Sequence, residues 1–234
     1  MDATMQIVAE KGLSSLSTRL AARRAGVSDG LMYRFFASKD DLLYACFESV
    51  HKEIAALFSD LPQQFAAMCR ESAGATGMLA ANVDDIGSVE RKSYEDALTQ
   101  ISLEELRRIG LEPVEIVHQI WEKYFRFLIQ NDYRTLFYFE YRNSRYIKDI
   151  MTKDEEARSS YFESLDEIIQ MGERLFHLSG RITPDILWTY ILDTSGTFAG
   201  RIIRGELPGT DKTIEEIWKL MRGGLSGLFS ETSG

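Results

Sequence analysis

Apolar residues recur at steps of three and four along most of the chain, and the apolar–polar alternation typical of strands is almost absent. This pattern predicts an all-α protein. Gly12 and Gly26 follow the first and second predicted helices, where glycine commonly ends a helix. Four short helices are expected first, at residues 2–11, 18–25, 29–35 and 39–58, and a serine stands as a cap before each of the last three: Ser17, Ser28 and Ser38.

The rest of the chain contains longer periodic segments, which predict a larger helical body. Pro113 and Pro184 fall near the starts of two of them, where proline is tolerated. Residues 59–110 have weak periodicity, with one helix expected at 93–109, and this segment either covers a cavity or orders on binding. The long helices are expected at 113–130, 132–149, 153–178, 184–206 and 211–229.

The corner between the second and third helices has a specific meaning. Two short helices joined by a tight turn at 26–28 form the helix-turn-helix arrangement, in which the second helix enters the major groove of DNA. The sequence therefore predicts that residues 29–35 form a recognition helix. Helical proteins contain many similar turns, so the pattern alone leaves plain core packing as the alternative.

The net charge at first argues against a nucleic-acid partner, because 36 acidic residues against 27 basic ones give −9. The distribution of charge changes this inference. Residues 1–58 carry seven basic and seven acidic side chains, and residues 16–39 carry five basic residues against the single acid Asp29. All of the acidic excess lies beyond residue 58. The N-terminal segment is therefore the part suited to DNA, and the acidic remainder favours engagement through that segment alone.

Composition excludes several other classes of protein. The chain is 44% apolar and 27% charged, which is ordinary for a globular protein. No stretch of about eighteen residues is free of charge, so no membrane-spanning segment is expected. The first residues lack the basic start and apolar run of a secretory signal. Two cysteines, Cys46 and Cys69, do not make a disulfide framework, so a cytoplasmic location is expected.

A set of positions in residues 9–45 forms a recognisable pattern around the helix-turn-helix: Ala9-Glu10-Lys11-Gly12, Ala25-Gly26-Val27-Ser28, Gly30, Tyr33, Phe36, Ser38-Lys39 and Leu42. With these positions the segment resembles the DNA-binding domain of the TetR family of transcriptional regulators. The resemblance implies an all-helical homodimer whose N-terminal domains bind a partly palindromic operator and whose bodies dimerise and hold a small effector. It divides the chain into a DNA-binding domain at 1–47, whose fourth helix continues to about 58, and an effector-binding and dimerisation domain at 48–234.

Carried over position by position, the resemblance implies that Tyr33 and Lys39 contact phosphates. Leu31 stands where family members often have threonine, so apolar contact with a thymine methyl replaces a hydroxyl contact. Phe36 is expected in the core. The residues expected to contact double-stranded operator DNA are Ser17, Thr18 and Arg19 in the second helix and Ser28, Asp29, Gly30, Leu31, Tyr33, Arg34 and Lys39 beyond it.

The body is expected to bind an apolar or amphipathic small molecule. The resemblance implies such a site, and the predicted helices at 113–130 and 132–149 are dense in aromatic residues, which supply area and directed hydroxyls. Ordinary core packing is the alternative role of the same side chains. The residues expected to contact the effector are Trp121, Phe125, Phe137, Tyr141 and Trp188.

Small residues four apart in the predicted helix at 184–206 allow another helix to approach closely. The resemblance assigns this face to the homodimer interface, paired with the helix at 153–178 or the one at 211–229. Core packing within one chain is again the alternative. The expected interface residues are Leu192, Ser195, Gly196, Ala199 and Ile203.

The sequence contains no arrangement that points to catalysis. The three histidines are far apart, and His118 with Glu122 offers at most two metal ligands on one helix face. Glycine-rich phosphate loops and Cys-x-x-Cys pairs do not occur. The sequence therefore predicts a transcriptional repressor released by a small-molecule effector, with no enzymatic activity, metal or cofactor. The alternative is a helical carrier or interaction module that does not bind DNA.

Overall fold

The structure, a computed structural model, describes residues 1–58, 112–147 and 189–229, together with the single residues 67, 107, 108, 110, 183, 186 and 187. The fold is all-α, and no strand occurs in these ranges. None of the helices described there is long and apolar enough to cross a lipid bilayer. The predictions for 93–109 and 153–178 fall almost entirely outside the described residues.

The N-terminal segment contains four α-helices, as predicted. The capping serines are confirmed, because each hydroxyl accepts a hydrogen bond from the backbone N–H three residues on, at 3.1, 3.2 and 3.0 Å for Ser17, Ser28 and Ser38. Gly26 ends the second helix in the left-handed region at φ +69°, which favours glycine. The elements are α1 (Asp2–Lys11), a 3₁₀ turn (Leu13–Ser15), α2 (Thr18–Ala25), α3 (Asp29–Phe35) and α4 (Lys39–Ala56).

The later segments that the structure describes are helical, as predicted, but two of the helices end earlier than the sequence predicts. The helix predicted at 132–149 stops at Arg142, where Asn143 and Ser144 turn the chain and the Ser144 hydroxyl donates to the Tyr141 carbonyl. The helix predicted to reach 206 stops at Ile203, because Gly205 adopts φ +74°. The elements are α5 (Pro113–Gln130), α6 (Asp132–Arg142), a π-helical turn (Thr189–Asp193), α7 (Thr194–Ile203) and α8 (Asp211–Phe229).

The chain forms two compact units. The described part of the first comprises residues 1–55, 125–147 and 196–207. In this unit α1 packs against α2 and α6. Burial of its apolar side chains supplies most of the free energy that holds the unit together, at about 25 cal/mol per Å² of apolar surface. The fully buried side chains include Met5, Ile7, Val8, Leu42, Leu43, Phe47, Phe125, Leu128, Phe137 and Tyr141.

The described part of the second unit comprises residues 56–58, 112–124, 189–195 and 208–229. Its core is built around two tryptophans, Trp121 and Trp218, whose ring centroids are 5.3 Å apart. The Trp121 indole N–H donates to Ser195 Oγ at 2.9 Å, which satisfies a buried donor. The apolar face of α8 completes this core with Ile214, Ile217, Met221 and Leu225.

Candidate nucleic-acid interface

The helix-turn-helix predicted from the sequence is present in the first unit. Gly26 turns the chain, and the N–H of Val27 donates to the carbonyl of Ala22 at 3.0 Å. Ala22 of α2 and Met32 of α3 are buried, and α2 contacts α3 directly. The two short helices therefore form a frame that leaves one face of α3 exposed.

That exposed face carries a mixture of charged, aromatic and aliphatic side chains. Arg34 is exposed, and so are Tyr33 (57%) and Leu31 (37%). Gly30 is exposed, and a Cβ built on it would meet nothing within 4 Å. The backbone of α3 at Gly30 is therefore open to close approach by another molecule, as a DNA-contacting helix requires.

Two of the residues expected to contact the DNA backbone contact each other. The hydroxyl oxygens of Thr18, at the start of α2, and Tyr33, on α3, are 3.0 Å apart and share a hydrogen bond. Both hydroxyls lie at the surface. This bond holds the Tyr33 ring at a fixed place beside the N-terminus of α2.

A second pair links the same two helices through charge. The Arg19 side chain of α2 donates from Nε to a carboxylate oxygen of Asp29, in the first turn of α3, at 3.2 Å. Side-chain exposures of 75% and 49% make this a solvent-screened surface pair. Sequence reasoning placed both residues at the interface, and the structure joins them.

The ammonium group of Lys39 is engaged inside the chain. It donates to the carbonyl oxygen of Leu13 at 3.1 Å and lies 5.7 Å from the ring centroid of Tyr146. The backbone N–H of Leu13 donates to the Glu140 carboxylate at 2.7 Å. Charged side chains of α4 and α6 therefore bond both backbone polar groups of Leu13, at the start of the 3₁₀ turn. The ammonium has three N–H donors, so donors remain for a phosphate contact by Lys39.

The arginines at the end of α2 differ from each other. Both terminal nitrogens of Arg24 donate to Glu10 of α1, at 2.7 and 2.5 Å, and this hydrogen bonding raises the pKa of Arg24 and lowers that of Glu10. Arg23 and Arg34 are exposed and form no ion pair with any residue that the structure describes. Arg34 therefore presents an uncompensated guanidinium on the exposed face of α3, the group that binds guanine or phosphate in two-pronged geometry.

Sequence reasoning missed Phe35. This residue ends α3 and is 73% exposed, more than any other large hydrophobic residue in the described ranges. Phe36, expected in the core, is half-buried. The sequence signal that was available is spacing: Phe35 follows Leu31 by four residues and so lies on the same side of the helix.

The residues expected to contact an effector are found in the cores of the two units. Trp121 lies in the second unit, and Phe125, Phe137 and Tyr141 lie in the first, all at most 3% exposed. The rings of Phe137 and Tyr141 are 5.8 Å apart. Trp188 lies outside the described residues.

The residues expected at a dimer interface are mostly buried within one chain. Ser195 bonds Trp121, and the edge of the Phe139 ring occupies the place where a Cβ of Gly196 would stand. Leu192 and Ala199 are also buried, and Ile203 is half-exposed. Packing inside the chain therefore accounts for the small residues Ser195 and Gly196.

Other polar clusters in the described residues do not form a recognisable catalytic site. His118 pairs with Glu115 and Glu215, at 3.8 and 4.0 Å, and stacks on Trp218 at 4.5 Å. No group of three or more His, Cys, Asp or Glu residues within the described ranges is arranged to hold a metal ion.

Comparison with known proteins supports the assignment of the N-terminal segment. Residues 1–46 match the sequence family described as bacterial regulatory proteins, tetR family. This match spans α1, the 3₁₀ turn, α2, α3 and the first part of α4. No protein with a curated description matches the chain.

Two solved structures share the fold of almost the whole chain. One is a TetR family transcription regulator from Marinobacter aquaeolei VT8, with 18% identity and a TM-score of 0.52. The other is a TetR-family transcriptional regulator from Haemophilus influenzae RD, with 17% identity and a TM-score of 0.50. In both comparisons the alignment covers 94% of this chain and 90% of the other. At these identities the likeness establishes a common all-helical fold.

Proposed function

Residues 1–46 belong to the TetR family of bacterial regulatory proteins, and from this premise we propose that the protein is a one-component transcriptional repressor. Its α3 enters the major groove of an operator, and α2 lies across the DNA backbone. The proposal rests above all on the exposed face of α3, where Arg34 stands between Tyr33 and Leu31 on an open helix backbone.

The side chains of this face divide into two roles. Thr18 and Tyr33 present hydroxyls that hydrogen-bond phosphate oxygens, and such contacts fix the register of the protein on the duplex. Arg34 and Leu31 reach base edges and carry sequence preference. Ser17 and Ser28 support these roles by capping α2 and α3, since their hydroxyls are already bonded to the helices they begin. Lys39 contacts a phosphate with a donor that the Leu13 carbonyl does not use.

A homodimer places two such faces on one operator. DNA-binding domains whose α3 helices lie about 34 Å apart would meet successive turns of the major groove. On α8, Leu220 is 68% exposed, and a helix face that exposes a large aliphatic residue favours contact with a second copy.

Regulation by a small molecule completes the proposal. Tyr141 is fully buried, and its hydroxyl has no hydrogen-bond partner among the described residues, an arrangement that costs about 1–3 kcal/mol. Burial also raises the pKa of Tyr141, so the hydroxyl stays a neutral donor. An effector that supplies an acceptor to this hydroxyl would be favoured in one arrangement of the helices. The effector then shifts the dimer away from the arrangement that fits DNA.

The experiment that tests this function is selection of bound duplexes from random DNA by the full chain. A repressor of this type enriches a partly palindromic sequence, and Arg34→Ala reduces the enrichment. The matched control is Arg201→Ala, which removes an arginine from α7 and leaves α3 intact. A carrier or interaction module without DNA binding would enrich no sequence and would give no gel shift at low salt.

A further inference from the structure

The geometry of α3 points to a specific base contact: we infer that Leu31 and Phe35 form an apolar strip that selects thymines in the operator half-site by contact with their 5-methyl groups. This inference rests on the proposed function and adds Phe35 as a specificity-determining residue. The side chains of Leu31 and Phe35 together are called the apolar strip.

Exposure of Phe35 is the first observation. Its side chain ends α3, and 73% of its surface is open to solvent. Leu31, four residues earlier, is 37% exposed, whereas Met32 of the same helix is buried. Residues four apart differ by about 40° around a helix, so the strip is continuous along one side of α3. Each apolar side chain left in water forfeits burial free energy, which contact with a partner would recover.

The surroundings of the strip indicate which partner covers it. Arg34 lies beside Leu31 on the helix surface and has no ion-pair partner among the described residues, and Arg23 at the end of α2 is likewise exposed. Residues 16–39 carry five basic side chains against one acid. An apolar strip beside the uncompensated Arg34, in a segment of net positive charge, complements the major groove of DNA, where phosphates flank the base edges.

The chemistry of the groove then narrows the contact. Among the base-edge groups of the major groove, the thymine 5-methyl is the apolar one, and the others are hydrogen-bond donors or acceptors. Leucine and phenylalanine side chains provide neither donors nor acceptors. They therefore gain by contact with thymine and lose by covering an unsatisfied polar edge at another base.

The distance between Leu31 and Phe35 along α3 predicts the spacing of the thymines that they contact. Four residues of α-helix advance by about 6 Å, and two base steps along one strand advance by about 7 Å. Leu31 and Phe35 thus match methyl groups two steps apart. Tyr33 lies on the other side of the exposed face, where it bonds Thr18. The proposed function places it against the DNA backbone.

The test replaces thymine by deoxyuridine, which differs only by the missing 5-methyl group. The probe is the duplex enriched by the full-length wild-type chain, with thymines in the half-sites replaced one at a time. Two positions per half-site, two steps apart, should each weaken binding about fourfold, the value for losing one buried methyl group.

Variants assign each methyl to a residue. Phe35→Ala should bind the parent duplex less tightly and respond no longer to deoxyuridine at one of the two positions, and Leu31→Ala should do the same at the other. Ile186→Ala is the matched control, since it shortens an exposed aliphatic side chain outside the helix-turn-helix and should keep both responses and the affinity for the parent duplex. Thermal unfolding of each variant checks that the DNA-binding domain remains folded.

Several results would overturn the inference. It fails while the proposed function stands if the wild type binds its enriched duplex but deoxyuridine has no effect at any position, or if Phe35→Ala keeps both responses. It also fails if Phe35→Ala leaves DNA binding unchanged and alters the oligomeric state, because the strip would then contact protein. If the wild type enriches no sequence, the proposed function itself is contradicted.

Discussion

The hydroxyl oxygens of Thr18 and Tyr33 lie 3.0 Å apart and join α2 to α3 at the exposed surface of the helix-turn-helix. The proposed function places both side chains at the DNA backbone. In the free protein their shared hydrogen bond fixes the Tyr33 ring, and in the complex the hydroxyl that accepts in this bond donates its own hydrogen to a phosphate oxygen. A pair that is already in place loses less conformational entropy when DNA binds.

This pair predicts a sequence-independent effect of Tyr33→Phe. The substitution removes one phosphate contact from each subunit of the homodimer, so affinity should fall by about a hundredfold, the equivalent of two hydrogen bonds to a charged group at about 1.5 kcal/mol each. Enriched and shuffled duplexes should lose the same factor, because phosphate contacts carry no sequence information. Fluorescence anisotropy with both duplexes measures it. A loss confined to the enriched duplex would place Tyr33 on a base instead.

The ion pair between Arg19 and Asp29 predicts that Asp29→Asn strengthens DNA binding. The substitution removes a negative charge from the first turn of α3 and releases the Arg19 guanidinium for a phosphate. Two added phosphate contacts, one from each subunit of the homodimer, should steepen the slope of log affinity against log salt by about 1.8. The stability of the protein should change little, because an exposed pair contributes about 0–1 kcal/mol.

The matched control for this prediction is Glu48→Gln, which breaks the surface pair with Lys52 on α4 and changes the net charge equally. It should leave the salt slope unaltered. An equal steepening in both variants would show that the effect comes from net charge and not from Arg19.

The close packing of Gly196 against Phe139 predicts that Gly196→Ala destabilises the fold. A Cβ there would overlap the Phe139 ring, and overpacking of this kind costs about 1–3 kcal/mol. The control is Gly30→Ala, where a Cβ meets nothing within 4 Å and an exposed helical alanine is favoured over glycine. Urea unfolding of both variants measures the difference. Equal stability of the two would contradict the packing described for α7.

Burial of His51 predicts a loss of stability in acid. Desolvation, with the charge of Arg142, lowers the pKa of His51 to about 4, below the ordinary 6.5. On acidification the unfolded chain takes up this proton near pH 6.5, while the folded protein resists it until about pH 4. The stabilising contribution is therefore complete above pH 6.5 and is lost as the pH falls towards 4, by about 3 kcal/mol.

Urea unfolding at pH 7.5 and pH 4.5 tests this dependence. His51→Gln keeps an amide that can bond the Tyr138 hydroxyl, which lies 3.1 Å from His51 Nδ1, but it cannot take up the proton. The variant should lose about 2–3 kcal/mol less stability than the wild type between these pH values. Parallel losses would contradict the lowered pKa.

Much of the N-terminal fold could be predicted from residues that are close together in the sequence. Ser17, Ser28 and Ser38 cap the helices they precede, because a capping hydroxyl bonds a backbone N–H only three residues away. The end of α6 at Arg142 was missed because apolar residues continue at helical spacing beyond it. The turn at Asn143 and Ser144, both of which favour turns and caps, overrides that periodicity.

Contacts between distant parts of the chain lay beyond sequence reasoning. Lys39 was expected on a phosphate, and its contact with the Tyr146 ring joins positions that no local rule connects. Phe35 is a different case, because its spacing of four residues from Leu31 was available in the sequence. Phe36 was expected in the core, and the packing of α3 leaves it half-buried.

The central claim is that the exposed face of α3 reads a DNA sequence. The most direct measurement is the affinity of the full chain for its enriched duplex and for a shuffled duplex of equal composition, in about 150 mM salt, a condition close to physiological. The proposed function predicts a ratio of at least about 10³, as specific DNA-binding proteins show, and a marked fall of that ratio in Arg34→Ala. Equal affinity for the two duplexes, or an Arg34→Ala variant with an unchanged ratio, would contradict it.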